Sequence, residues 1–142
     1  MNFRFRLEKV LHFVKLRETV KKMEVSAITQ RIRFLEGRRQ TLQENIRALL
    51  ARQGEAPNGE FQYFQTSKVT LDVKDLSQLD VVIRQEQVAL ERRKNDLARL
   101  FQRRRALESL KDKKEREFRT EQGHKQQAQL DEIFSLSRGK RW

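Results

Sequence analysis

Two interleaved seven-residue spacings govern the first third of the chain. Leu7, Val14, Ile28, Leu35, Leu42 and Leu49 fall on one, broken only at Lys21. Leu11, Val25, Ile32 and Ile46 fall four residues later on the other, broken at Glu18 and Arg39. Together they are the d and a positions of a heptad repeat sustained over about six heptads, the pattern of a coiled coil. A polar residue at such a position weakens packing but can fix register, so the three breaks need not end the helix. The spacing predicts helix one over about 5–52, with residues 6–52 spanning roughly 70 Å. Gly37 inside it costs roughly 1 kcal/mol relative to alanine, less than the surrounding seam supplies.

The chain's only proline, Pro57, stands between Gly54 and Gly59. Proline cannot continue a helix and glycine caps its C-terminus, so a bend is expected over about 53–74. Asp75-Leu-Ser-Gln78 reads as a capping box that opens helix two at about residue 75. Its seam runs through Leu76, Leu79, Ile83, Leu90, Leu97, Leu100 and Leu107, frays beyond Leu110, and returns briefly as Leu130, Ile133 and Phe134. Helix two is therefore expected over about 75–136, followed by a tail at 137–142. The expected fold is all-α and a single domain: two long helices forming an antiparallel coiled-coil hairpin, the second helix longer than the first. The excess, about fifteen residues or 20 Å, has no intramolecular partner. The pairs Glu18–Lys22, Asp112–Arg116, Glu115–Arg119 and Glu121–Lys125 add a few tenths of a kcal/mol each as exposed i,i+4 contacts.

Composition fits this reading: 37% charged residues against 37% hydrophobic ones leaves too little apolar material for a ball but enough for a narrow seam. With no cysteine, disulfides and thiolate metal sites are excluded, and the two histidines, His12 and His124, are far apart. His12 reads as a helix-surface residue beside Glu8. A two-helix hairpin offers no pocket for a catalytic constellation or a phosphate-cradling loop, so no enzyme activity and no cofactor are expected. The opening Met-Asn-Phe-Arg-Phe-Arg lacks the apolar core of a secretory signal, and no apolar run approaches the ~18 residues of a membrane span, so a cytoplasmic location is expected.

The net charge is +12, and it is unevenly placed. Basic residues exceed acidic ones by 8 over residues 1–52 and by 6 over 91–119, whereas 53–90 carries an excess of 3 acids. Arg103-Arg104-Arg105 with Lys111, Lys113 and Lys114 could neutralise phosphates. A solvated helix face with interleaved acids explains the same residues, and no stacking-aromatic or base-reading pattern accompanies them. Apolar groups off the seam, Phe3, Phe5, Phe13, Phe34, Phe61, Tyr63, Phe64, Phe134 and Trp142, are candidates for docking onto something else. For Phe61, Tyr63 and Phe64 two readings stay open: a recognition patch at the bend, or a plug on the end of the coiled coil.

The opening Phe-Arg-Phe-Arg-Leu-Glu-Lys-Val-Leu (3–11), the bend-proximal Tyr63 and Phe64, the following amphipathic helix and a late Gln-Leu-Asp-Glu-Ile-Phe (129–134) resemble the flagellar export protein FliJ family, small basic antiparallel coiled coils. The resemblance implies a stalk-like part of the type III export apparatus at the base of the bacterial flagellum, peripheral to the inner membrane through its partners. It implies that the end carrying both termini enters the hexameric export ATPase, which maps to Phe3, Arg4, Phe5, Arg6 and Leu7 with Leu130, Ile133 and Phe134. It implies a contact with the cytoplasmic domain of the export gate early in helix two, at Leu76, Leu79, Ile83 and Glu86 with Tyr63 and Phe64. Export chaperones of late flagellar substrates are the third implied partner, and the chain alone is expected to be a monomer. Two other classes remain: a basic coiled coil that binds nucleic acid or anionic membrane, and a plain dimerising coiled coil.

Overall fold

The computed structural model describes residues 2–52 and 59–139. Helix α1 spans Glu8–Ala51 and helix α2 spans Gly59–Gly139, with no strand among the described residues. The chain divides into two compact units, Met1–Glu18 with Ala98–Trp142, and Thr19–Leu97. Ion pairs between the helices run antiparallel in each. In the first, Glu8, Lys15 and Glu18 meet Lys111, Glu108 and Arg104. In the second, Lys21, Glu24, Arg31 and Arg39 meet Asp96, Arg93, Glu86 and Asp80. The fold is the expected two-helix antiparallel hairpin with the longer second helix, 81 residues against 44.

The seam of the second unit follows the heptad. On α1 Ile32 is buried and Val25, Ile28, Leu35, Leu42, Ile46 and Leu49 are half-buried; on α2 Ile83 is buried and Val69, Leu76, Leu79, Leu90 and Leu97 are half-buried. In the first unit the best-covered apolar groups are Leu11 and Val14 on α1, and Leu100, Leu107 and Phe118 are half-buried on α2. Each such side chain contributes roughly 1.5–3 kcal/mol gross when fully buried, less where coverage is partial. The polar residues at seam positions of α1, Glu18, Lys21 and Arg39, are matched across the seam. Glu18, 4% exposed, accepts a 2.5 Å hydrogen bond from Arg104 Nε, and Arg39 meets Asp80 at 3.4 Å. The register breaks seen in the sequence of α1 are thus answered by opposite charge on α2.

Three boundaries differ from the sequence reading. Helix α2 begins at Gly59, so residues 59–74 are helix rather than bend, and Asp75 lies sixteen residues inside it rather than capping it. The reason is the seam itself. The 3,4 spacing extends backward from Leu76 through Asp72, Val69 and Gln65, and a heptad occupied by Gln65 and Asp72 carries no apolar signal although both are buried. Thr70 Oγ1 donates to the Thr66 carbonyl at 2.9 Å, which satisfies the hydroxyl within the helix. Gly54 and Pro57 lie outside the described residues. At the other end α2 continues through Gly139, beyond the expected 136, and Trp142 also lies outside the described residues.

The third difference is at the N-terminus. Residues 2–7 are not helical, and α1 starts at Glu8, whose N–H donates to the Phe5 carbonyl at 3.1 Å. Exposure alternates along this segment: Phe3, Phe5 and Leu7 are half-buried, whereas Asn2, Arg4 and Arg6 are exposed. Residues 2–5 have no regular structure and Arg6 and Leu7 form the turn that leads into α1. At the far end of α1, the Arg52 N–H is shared between the Ala48 and Leu49 carbonyls at 3.3 and 3.2 Å, a tightened final turn.

Candidate partner-binding surfaces

The N-terminal strap lies against α2. The Phe3 and Phe118 rings meet at 5.6 Å between centroids, tilted by 48°. Phe3, Phe5, Leu7, Leu110 and Phe118, with Lys114 and Glu117, line a shallow groove of about 550 Å³. Phe3, Phe5 and Leu7 are therefore committed in part to this groove, and Arg4 and Arg6, which also border it, are the exposed members of the strap.

Leu130, Ile133 and Phe134 are not gathered at this groove. They sit 12–16 residues beyond Phe118 on α2, about 18–24 Å along the axis. Every residue from Gly123 to Gly139 is exposed, among them Leu130 at 51%, Ile133 at 61% and Phe134 at 66%. Spacing of i, i+3 and i+4 places these three on one helix face. Isolated exposed apolar residues need no explanation, but a row of three on a helix segment that no other described residue covers is an available binding face.

The other predicted set divides sharply. Tyr63 and Phe64 are 76% and 63% exposed on the first turns of α2. Leu76 and Leu79 are half-buried and Ile83 is 2% exposed, all at seam positions facing α1. Glu86 accepts hydrogen bonds to both carboxylate oxygens from Arg31 Nη1, each at 3.2 Å. In this set only the Tyr63 and Phe64 rings are open to a partner; the aliphatic members hold the helix in register. A plug role for these rings would require them to be covered, and they are not.

Three of the six residues of the basic cluster, Arg104, Lys111 and Lys114, are occupied from within. Arg104 binds Glu18 and also donates to Glu108 at 3.1 and 3.2 Å, Lys111 meets Glu8 at 2.9 Å, and Lys114 meets Glu117 at 3.5 Å. Hydrogen bonding to Glu18, then to Glu108, raises the Arg104 pKa above its ordinary value, and the bond to Glu8 does the same for Lys111. Arg104 and Arg105 also lie over the Phe101 ring, at 5.1 and 5.7 Å from its centroid. Of the expected i,i+4 pairs, Glu115–Arg119 and Glu121–Lys125 form, at 2.9 and 3.7 Å. Arg116 instead donates to the Asp112 carbonyl oxygen at 3.4 Å. No group of three or more His, Cys, Asp or Glu among the described residues could hold a metal ion, and no described helix is long and apolar enough to cross a membrane.

The polar seam residues of α2 were not legible as candidates. Gln65 and Asp72 are 4% and 2% exposed, and Gln65 Oε1 and Asp72 Oδ2 have no hydrogen-bond partner among the described residues. The other Asp72 oxygen meets Lys68 at 3.1 Å. Only the heptad arithmetic, run backward from Leu76, could have found them.

The model of a protein family described as Flagellar FliJ protein matches residues 3–141, nearly the whole chain. The chain belongs to this family. It is accordingly a component of flagellar protein export. No curated protein and no solved structure matches it.

Proposed function

We propose that this FliJ-family chain is a non-catalytic coupling element of the export apparatus, acting through surfaces rather than a site. Arg4 and Arg6 on the strap, with the Leu130–Ile133–Phe134 face, engage the hexameric export ATPase. Tyr63 and Phe64 engage the cytoplasmic domain of the export gate, and chaperones of late substrates dock on the same protein. Phe3, Phe5 and Leu7 position the strap, and Leu76, Leu79, Ile83 and Glu86 position the start of α2. Binding that differs between ATPase subunit states would favour assembly or turnover of the ring, which is the thermodynamic content of coupling.

One observation carries this reading: the run of exposed residues from Gly123 to Gly139, with three large apolar side chains on one face. Purified export ATPase with and without the chain is the test. The chain should promote oligomerisation and raise turnover, and Ile133→Asp with Phe134→Asp should abolish both effects while leaving helicity intact. Unchanged oligomerisation and turnover would remove the ATPase role. Tyr63→Ala with Phe64→Ala should instead reduce capture of the gate domain and spare the ATPase effect.

The nucleic-acid and membrane reading is weakened by the pairing of Arg104, Lys111 and Lys114 with Glu18, Glu8 and Glu117. Binding of duplex DNA or anionic vesicles that falls steeply with salt would restore it.

A further inference from the structure

In the second unit α1 carries a second apolar row that the hairpin does not use. Val20, Met23, Ala27 and Phe34 follow the 3,4,7 spacing of heptad a and d positions, with Gln30 at the intervening d position. At 100° per residue this row lies about 140° around the helix from the seam formed by Val25, Ile28, Ile32 and Leu35. Its members face solvent: Val20 is 52% exposed, Met23 67% and Phe34 66%, and Ala27 is exposed as well. The row is about 21 Å long, three turns or more, enough for a helix to lie along it.

The charges beside the row choose among occupants. Arg31 and Arg38 border one side and Arg33 the other. Arg33 and Arg38 make no ion pair among the described residues, and Arg31, bound to Glu86, keeps a side chain that is 58% exposed. The one acid at the border, Glu24, is already held by Lys21 at 3.2 Å and Arg93 at 3.5 Å. A second copy of this chain, with its +12 charge, would bring arginine against arginine across the contact.

We propose that Val20, Met23, Ala27 and Phe34 form a docking strip for a helix of a partner protein. That helix has apolar residues at a and d positions and Glu or Asp at the flanking e and g positions. Apolar knobs supply the contact area, and the free guanidinium groups select the acidic flanks and set the register. The inference stands on the outer face of α1 and is independent of the ATPase and gate contacts proposed above.

The probe is a synthetic peptide of about three heptads with Ile and Leu at a and d and Glu at e and g, beside a second peptide with the same core and Lys at e and g. The chain has no cysteine, so Ser26→Cys carries a fluorophore at the edge of the strip and reports where the peptide sits. The Glu-flanked peptide should bind, should change the Ser26→Cys signal and should weaken as salt rises. The Lys-flanked peptide should bind about tenfold more weakly or not at all. Met23→Glu with Phe34→Glu should lower affinity by about tenfold or more at unchanged helicity. Arg33→Glu with Arg38→Glu should reverse the preference between the two peptides, and this pair carries the test if the first double variant unfolds. No binding of the Glu-flanked peptide, equal binding of both peptides, or a preference untouched by the arginine reversal would overturn the proposal. So would a concentration-dependent dimer of the chain that Met23→Glu with Phe34→Glu abolishes, because the occupant would then be a second copy.

Discussion

At the scale of single residues, the seam separates polar groups that are answered from polar groups that are not. Glu18 is covered and faces Arg104, so its burial is offset by a charge-assisted hydrogen bond. Asp72 is as deeply covered, yet among the described residues one carboxylate oxygen has no hydrogen-bond partner and the other meets Lys68, a residue on the same helix. Replacing such a group with an aliphatic side chain of similar volume removes a desolvation cost and adds apolar burial. Asp72→Leu should therefore stabilise the chain by about 1–2 kcal/mol, read as a higher denaturation midpoint at unchanged m-value. A lower midpoint would mean that the carboxylate is better satisfied than its contacts indicate. Lys111 gives a pH prediction. Its pKa is raised chiefly by the hydrogen bond to Glu8, so the contribution to stability is complete below the ordinary lysine value and is lost as pH rises through the raised one. The difference in thermal midpoint between the chain and Lys111→Met should stay constant from neutral pH up to about pH 9 and shrink only in stronger alkali. A difference that already collapses near neutrality would show that another group carries it.

At the scale of elements, Gly37 is an ordinary helical position in α1, and a Cβ built there meets nothing within 4 Å. Gly37→Ala should stabilise by roughly 0.5–1 kcal/mol through reduced unfolded-state entropy and higher helix propensity, seen as a rise in thermal midpoint. No gain would imply that the helix needs freedom at this point. The strap is the other element whose behaviour can be anticipated. Its hold on α2 includes the Phe3–Phe118 contact, with Phe5 and Leu7 following the same alternation. Phe118→Ala should release it, raising amide exchange and proteolysis after Arg4 and Arg6 by at least about tenfold while the helical circular dichroism stays intact. Protection that survives this substitution would place the anchor at Phe5 and Leu7. Helix α2 starts sixteen residues before the capping box because burial follows heptad position rather than leucine content: Gln65 and Asp72 occupy the same heptad register as Leu79.

At the scale of the whole chain, the excess of basic residues works against self-association and towards acidic partners. Several of the most concentrated basic residues are already neutralised: Arg104, Lys111 and Lys114 have carboxylates, whereas Arg33 and Arg38 have none among the described residues. Sedimentation at low concentration should return a 17.1 kDa monomer across a range of salt. A dimer would favour the plain dimerising coiled coil over a chain whose exposed faces await other proteins.

The heptads alone determined the fold class and the antiparallel pairing of two long helices, because a narrow repeating stripe can be buried in few ways. The non-helical course of residues 2–7, where the heptad predicts helix from about residue 5, was decided by the packing of Phe3, Phe5 and Leu7. The heptad register places Glu18, Gln65 and Asp72 on the seam, but which of them is answered was decided only in three dimensions: Arg104 reaches Glu18 from the helix opposite, whereas Gln65 Oε1 and Asp72 Oδ2 have no hydrogen-bond partner among the described residues. The same is true of the candidate surfaces. Leu76 and Ile83 read like Leu130 and Ile133 in the sequence, and only packing distinguishes a side chain spent on its own seam from one left in water.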